Sequence, residues 1–303
     1  MMTLIINSLI PLVLCIALGA ILHWYRFVPD TVWQGIDKLN YYVLFPSLLF
    51  LSISQAQVVL SEFGSVMTAV AIVLMLATIA MTVANRLGVL YENIGVYTQS
   101  AIRFNTYIGL ALVASLFGND GLTLYSLIIA LFIPVINVIS VLSLTAHQEL
   151  SPKRLIHNLM TNPLIVACIL AIMVNLSPLS MPTAINELMR LLGTASLPLG
   201  LICIGAGLQF AGLLGRGLPL VMAHTLIRLL LMPALAFLVC GMMGITGIGR
   251  QVVVLFFALP TAPTAYVLTK VLGGNHALMA QIISLQTVLA MVTLPTVLWW
   301  LMA

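Results

Sequence analysis

Charge is what this sequence has least of: 6% of its 303 residues are Asp, Glu, Lys or Arg, whereas 62% are hydrophobic. A soluble domain carries about 25% charged residues, because it must cover itself with a polar surface. The shortage excludes a soluble fold, and a mean hydropathy of +1.20 places the chain in lipid. The net charge of +4 comes without a basic run, so no nucleic-acid partner is expected. Cysteine is also scarce. Cys15, Cys168, Cys203 and Cys240 lie within apolar runs and form no CxxC pair, which argues against a disulfide framework or a metal site. HExxH, GxSxG, paired-acid and P-loop motifs are all missing, so neither an enzyme, nor a cofactor, nor direct ATP drive is suggested.

What is present is apolar sequence in blocks long enough to cross a bilayer, about 20 residues each. Charges and turn signals divide it into ten expected spans, at 4–22, 37–55, 65–84, 93–117, 121–146, 158–177, 187–210, 218–242, 250–272 and 276–301. Turns such as Gly118-Asn119-Asp120-Gly121 and Gly244-Ile245-Thr246-Gly247 separate them. The first block lacks a positive leader and outruns a signal-peptide core, so it is read as a retained span. The longest connection is at 148–157, and no soluble domain is expected at either end. Loops after odd-numbered spans hold Arg26, Lys38, Arg86, Lys153, Arg154, Arg216 and Lys270, while the opposite face holds Arg190 and Arg250. That asymmetry places both termini outside the cytoplasm.

The chain also repeats itself. Pro11 and Pro163 are 152 residues apart, as are Pro46 and Pro198, and similar Gly/Asn turns join the fourth and fifth spans of each half. The repeats are 1–150 and 151–303. A five-span unit reverses its orientation when repeated, because five is odd, and inverted repeats of this kind are typical of secondary transporters.

Each half has a candidate interruption in its fourth span. One is Arg103-Phe104-Asn105-Thr106-Tyr107-Ile108-Gly109; the other is Leu259-Pro260-Thr261-Ala262-Pro263-Thr264. Pro260 and Pro263 lack amide donors and leave the carbonyls of Phe256 and Leu259 without helical partners. Asn105 and Thr106 can cap a new half-helix. The positive ends of two such half-helices can converge on an anion. Arg103 is a candidate for substrate contact or gating, Arg228 for snorkelling or pairing with helix carbonyls, and Asn137 for lining the site or bonding across helices. His224 is read as membrane-surface packing. All seven acids (Asp30, Asp37, Glu62, Glu92, Asp120, Glu149 and Glu187) fall near loops or span ends, so a cationic substrate would find no obvious counter-ion.

These residues resemble the auxin efflux carrier family, including its bacterial malonate/malate permease-like members. The likeness runs over nearly the whole chain and is most specific at Arg103–Leu112, supported by Phe45-Pro46-Ser47, Asn162-Pro163-Leu164, Leu197-Pro198-Leu199, Gly205-Ala206-Gly207-Leu208 and Leu259–Pro263. It implies an all-α polytopic membrane protein whose ten helices form two inverted five-helix repeats, with broken helices 4 and 9 crossing. It further implies a dimerising scaffold of helices 1, 2, 6 and 7, a moving unit of helices 3–5 and 8–10, and elevator-type transport of organic anions through an inner (plasma) membrane. In the plant members an asparagine at each crossover contacts the substrate. Asn105 matches the first, while the second position offers Thr261 or Thr264, a departure that points away from an auxin-like substrate.

The expected site is therefore Asn105, Thr106, Arg103, Thr261, Thr264 and Asn137, with Gly109, Pro260 and Pro263 at the breaks. The coupling ion stays open between proton, sodium and none. Alternatives are a sodium-coupled anion symporter similar to the bile-acid symporters, and a non-transporting receptor or scaffold.

Overall fold

The computed structural model of the chain describes residues 2–55, 60–88, 93–145, 163–177, 181–208 and 217–302. The connection at 148–157 with Lys153 and Arg154, the residues Glu92, Glu149, Asn162 and Arg216, and the outer ends of the fifth, sixth and seventh expected spans lie outside the described residues. The described side chains do not include Glu62 or Cys168.

Among the described residues every regular element is helical. A chain in lipid has no water for its backbone polar groups, and a helix satisfies them within itself. In chain order the helices are α1 (Met2–Trp24), α2 (Asp30–Leu39), α3 (Phe45–Ser54), α4 (Leu60–Arg86), α5 (Ile94–Ile102), α6 (Thr106–Leu144) and α7 (Pro163–Leu176). They continue with α8 (Thr183–Ala206), α9 (Leu218–Leu226), α10 (Met232–Met242), α11 (Gly247–Ala258), α12 (Thr264–Val271) and α13 (His276–Met302). The long α6 bends at Gly118, whose φ of 60° suits a residue without a Cβ; the fourth and fifth expected spans meet there.

Two π-helical turns, Asn40–Leu44 and Ile227–Leu231, connect α2 to α3 and α9 to α10. Each is followed within two residues by a proline, Pro46 or Pro233. A proline ring in a helix collides with the carbonyl four residues back and offers it no donor. Widening the preceding turn relieves this: Phe45 N–H reaches Asn40 O and Met232 N–H reaches Ile227 O. Such widened turns recur at functional sites, and these two carry the buried polar residues Asn40 and Arg228.

Five described helices are long and apolar enough to cross a bilayer alone: Phe63–Arg86, Ile94–Leu144, Thr183–Ala206, Leu218–Met242 and His276–Leu301. Length by itself does not recover ten spans. Ile94–Leu144 holds two of them, and the ninth is divided between α11 and the eight residues of α12.

α1 packs along α8, and α3 lies against α7 and α8. The α1–α8 approach is backbone on backbone. A Cβ on Gly19 would overlap the carbonyl of Ile202, and one on Gly205 would overlap that of Ile16. Between α8 and the π turn after α2, Asn40 Nδ2 donates to Ser196 O at 3.0 Å, and Ser196 Oγ donates to Asn40 Oδ1 at 2.8 Å. Lipid-facing apolar side chains remain on the outside, among them Leu14, Leu18, Val292 and Trp300. The interior half-helices differ. All of Ile94–Ile102, and Val252–Ala258 in α11, are buried, so each is surrounded by protein instead of lipid.

Candidate functional site

Two interruptions meet inside this bundle. At the first, residues 103–105 leave the helical path between α5 and α6, and Asn105 becomes the N-cap of α6, its Oδ1 accepting from Ile108 N–H at 3.2 Å. At the second, residues 259–263 separate α11 from α12, with Leu259 extended (φ −68°, ψ 143°) and Pro263 at the start of α12. α11 packs on α6 and α12 on α5, so the half-helices exchange partners across the breaks. The breaks are joined directly: Asn105 N–H donates to Pro260 O at 2.7 Å.

Further bonds fix the junction. Thr261 N–H donates to Gln286 Oε1 of α13 at 2.9 Å. The single proton of the Thr261 hydroxyl can serve Ser100 O at 2.9 Å or Gln286 Oε1 at 2.8 Å. Gln99 Nε2 donates to Thr269 Oγ1 at 2.9 Å, clamping α5 to α12. Ser100 Oγ lies 2.6 Å from His224 Nε2. Gly109, one turn into α6, is required by packing. A Cβ there would overlap the Tyr125 hydroxyl and stand 2.7 Å from Leu259 Cδ1.

Arg103, at the first break, and Arg228, in the second π turn, both point inward. Arg103, 8% exposed, donates from Nε to Ser140 Oγ at 3.2 Å, from Nη1 to Thr264 Oγ1 at 3.3 Å, and from Nη2 to Asn137 Oδ1. Arg228 is fully buried; its Nε donates to Leu259 O at 3.1 Å and its Nη1 to Ala101 O at 2.9 Å. Neither meets a carboxylate among the described residues. The ion pairs among the described residues, His23–Asp30 and Arg190–Glu187, involve exposed carboxylates elsewhere. Three buried nitrogens around Leu259–Thr261 have no partner among the described residues: Asn105 Nδ2, Gln286 Nε2 and Arg228 Nη2.

The structure therefore brings Asn105 to Pro260 and gathers Arg103, Asn137 and Thr264 into one cluster. Thr261 turns toward Gln286 and Ser100 instead of joining Arg103. Thr106, the first residue of α6, is half-buried. The Leu259 carbonyl, expected to lack a helical partner, takes its donor from Arg228. One reading changes. His224 is buried against Ser100 and the Tyr97 ring, 5.1 Å away, and is not packed at a membrane surface. Its position four residues before Arg228 was visible in sequence, but periodicity shows which residues share a face and not what that face meets.

Ser140 and Gln286 were missed. Ser140 follows Asn137 by three residues, hence on one helix face, and Gln286 is a polar residue deep in an apolar span, which lipid would penalise.

Two broken helices joined inside an apolar all-helical bundle are the construction of a membrane transport protein. Comparison of the sequence with known families agrees: the family model described as Membrane transport protein matches residues 148–298, which include Arg228, the second break and Gln286. The chain belongs to this family, that of the auxin efflux carriers and related permeases. No curated protein matches it.

Proposed function

We propose that the protein is a secondary carrier of small organic anions, with carboxylates as the substrate class. One observation carries this reading: two buried guanidinium groups, Arg103 and Arg228, flank the meeting point of two broken helices and have only neutral oxygen partners among the described residues. Placing an arginine at mid-depth costs roughly 2.5–3.5 kcal/mol on insertion scales. Neutral acceptors solvate such a charge without cancelling it, so an anion entering the junction gains a counter-ion that is already in place.

In this reading Asn105 Nδ2, Gln286 Nε2 and Arg228 Nη2, the donors without partners, receive the carboxylate. Arg103, held by Asn137 and Thr264, supplies long-range positive potential. Thr106 lies at the half-buried edge, and Thr261 holds the second break in shape. The three donors are sealed from the surface, so an anion reaches them only when the surrounding helices part. A separate cleft of about 260 Å³ lies between α1, α6 and α8, lined by Pro11, Ala111, Ser115 and Pro198.

The rest of the proposal follows the repeat seen in sequence. Ten spans form two inverted halves; helices 1, 2, 6 and 7 form a scaffold that pairs with a second copy, and helices 3–5 and 8–10 move as an elevator. Both termini face away from the cytoplasm of a cell inner membrane. The test is uptake of malonate and malate by vesicles containing the purified protein. Uptake that saturates and is lost in Asn105→Asp, with folding intact, supports the site. Uptake of every accepted anion at the wild-type rate in that variant overturns it.

A further inference from the structure

The carbonyls at the C-terminal ends of α5 and α11 were each released by a particular event. Ala101 O would have accepted from Asn105 N–H, four residues on, but that donor is spent on Pro260 O. Leu259 O would have accepted from residue 263, which is proline and has no N–H. Both carbonyls lie at the negative ends of half-helices. In carriers built from broken helices, such freed carbonyls and half-helix C-terminal ends are where a coupling cation is coordinated.

Here both carbonyls are occupied by one side chain. Arg228 bridges Leu259 O at 3.1 Å and Ala101 O at 2.9 Å from two different nitrogens. The neighbouring oxygens are engaged as well: Pro260 O accepts from Asn105 N–H, and Ser100 O shares the Thr261 hydroxyl proton with Gln286 Oε1. The π turn ahead of Pro233 carries Arg228, whose guanidinium reaches the two acceptors from separate nitrogens. This cation is covalently part of the chain, so it cannot dissociate from the junction.

We propose that Arg228 is a tethered cation standing where a dissociable coupling ion would bind, so that the crossover closes and transport proceeds without sodium. A hard cation needs several free oxygens at once, and Ala101 O, Leu259 O and Pro260 O already have donors. The proposal rests on the transport reading of the crossover, and it adds a structural role for Arg228 that does not depend on the substrate.

The experiment is the melting temperature of the purified full-length protein in sodium chloride and in choline chloride at equal ionic strength. The wild type, Arg228→Ala and Arg228→Lys are compared with and without millimolar guanidinium. The wild type should melt at one temperature in both salts. Arg228→Ala should melt lower by about 5 °C or more, since two buried carbonyls lose their donor, and should recover part of that loss with guanidinium. Arg228→Lys should fall between them, and it replaces the alanine variant if that protein does not fold.

Saturable stabilisation of the wild type by sodium overturns the proposal. So does an Arg228→Ala protein as stable as the wild type, or an Arg228→Lys protein at wild-type stability. Vesicle uptake that collapses when choline replaces sodium also overturns it. If the vesicles move no anion at all, the carrier reading fails, while the melting data still decide the role of Arg228.

Discussion

The main-chain N–H of Asn105 donates to the carbonyl of Pro260 at 2.7 Å, tying one interrupted helix to the other through backbone atoms alone. Any rotation of one break relative to the other must stretch this bond. It also moves the Asn105 side chain, which caps α6 through Oδ1 and keeps Nδ2 without a partner. One residue thus joins the breaks, starts a half-helix and presents a donor.

Those roles can be separated at position 105. Asn105→Asp keeps an oxygen for the Ile108 N–H, and a carboxylate suits a helix N-terminus. It replaces the free donor with a negative charge. The expected result is a melting temperature near that of the wild type with anion uptake lowered at least tenfold, about 1.4 kcal/mol. Asn105→Ala should instead lose both, with about 1 kcal/mol of capping energy gone. Thermal melts and vesicle uptake read the two effects apart.

Arg103→Gln removes a charge whose partners are the neutral groups of Ser140, Thr264 and Asn137. No carboxylate is left stranded, so folding should survive. Apparent affinity should fall about tenfold for dicarboxylates and less for monocarboxylates, because the lost contribution scales with substrate charge. Competition by a series of mono- and dicarboxylates measures this. An equal loss across the series would remove Arg103 from the electrostatics of the site.

Gly109→Ala places a methyl group into the Tyr125 hydroxyl. Overpacking of this kind costs about 1–3 kcal/mol, and the affected residues also border Leu259 at the second break. Tyr125→Phe deletes the nearest obstructing atom, an oxygen without a hydrogen-bond partner among the described residues, and leaves the ring Cζ at 2.5 Å and Leu259 Cδ1 at 2.7 Å. The double variant should therefore melt above Gly109→Ala alone.

Asn40 and Ser196 satisfy one another reciprocally in a fully buried position. Removing one member strands the other, at about 1–3 kcal/mol. Asn40→Leu and Ser196→Ala should each lower the melting temperature, and the double variant should lose less than the sum. Additive losses would show that the pair does not hold α8 to the turn after α2.

The sequence reading succeeded where the physics is local. Hydropathy identified lipid as the solvent, and the interruptions at 103–105 and 259–263 announced themselves through a capping asparagine and two prolines. Boundaries shifted where a helix began outside the apolar run: the second expected span starts at Asp30 instead of residue 37, because amphipathic α2 continues through the π turn into α3. Arg103 with Asn137 and Thr264 was legible as a set of polar residues in lipid, but its internal bonding was not.

What the sequence by itself determined is the solvent, the helical class and the two breaks, since composition, proline chemistry and capping act within a few residues of where they are written. Only the tertiary structure decided that the breaks touch, that Arg228 closes both half-helix ends, that Gln286 supports Thr261, and that His224 is buried. Each of these links residues from different elements, 25 to 155 positions apart in the bonds that define them. Their partners are chosen by how the helices pack, and no local period records that.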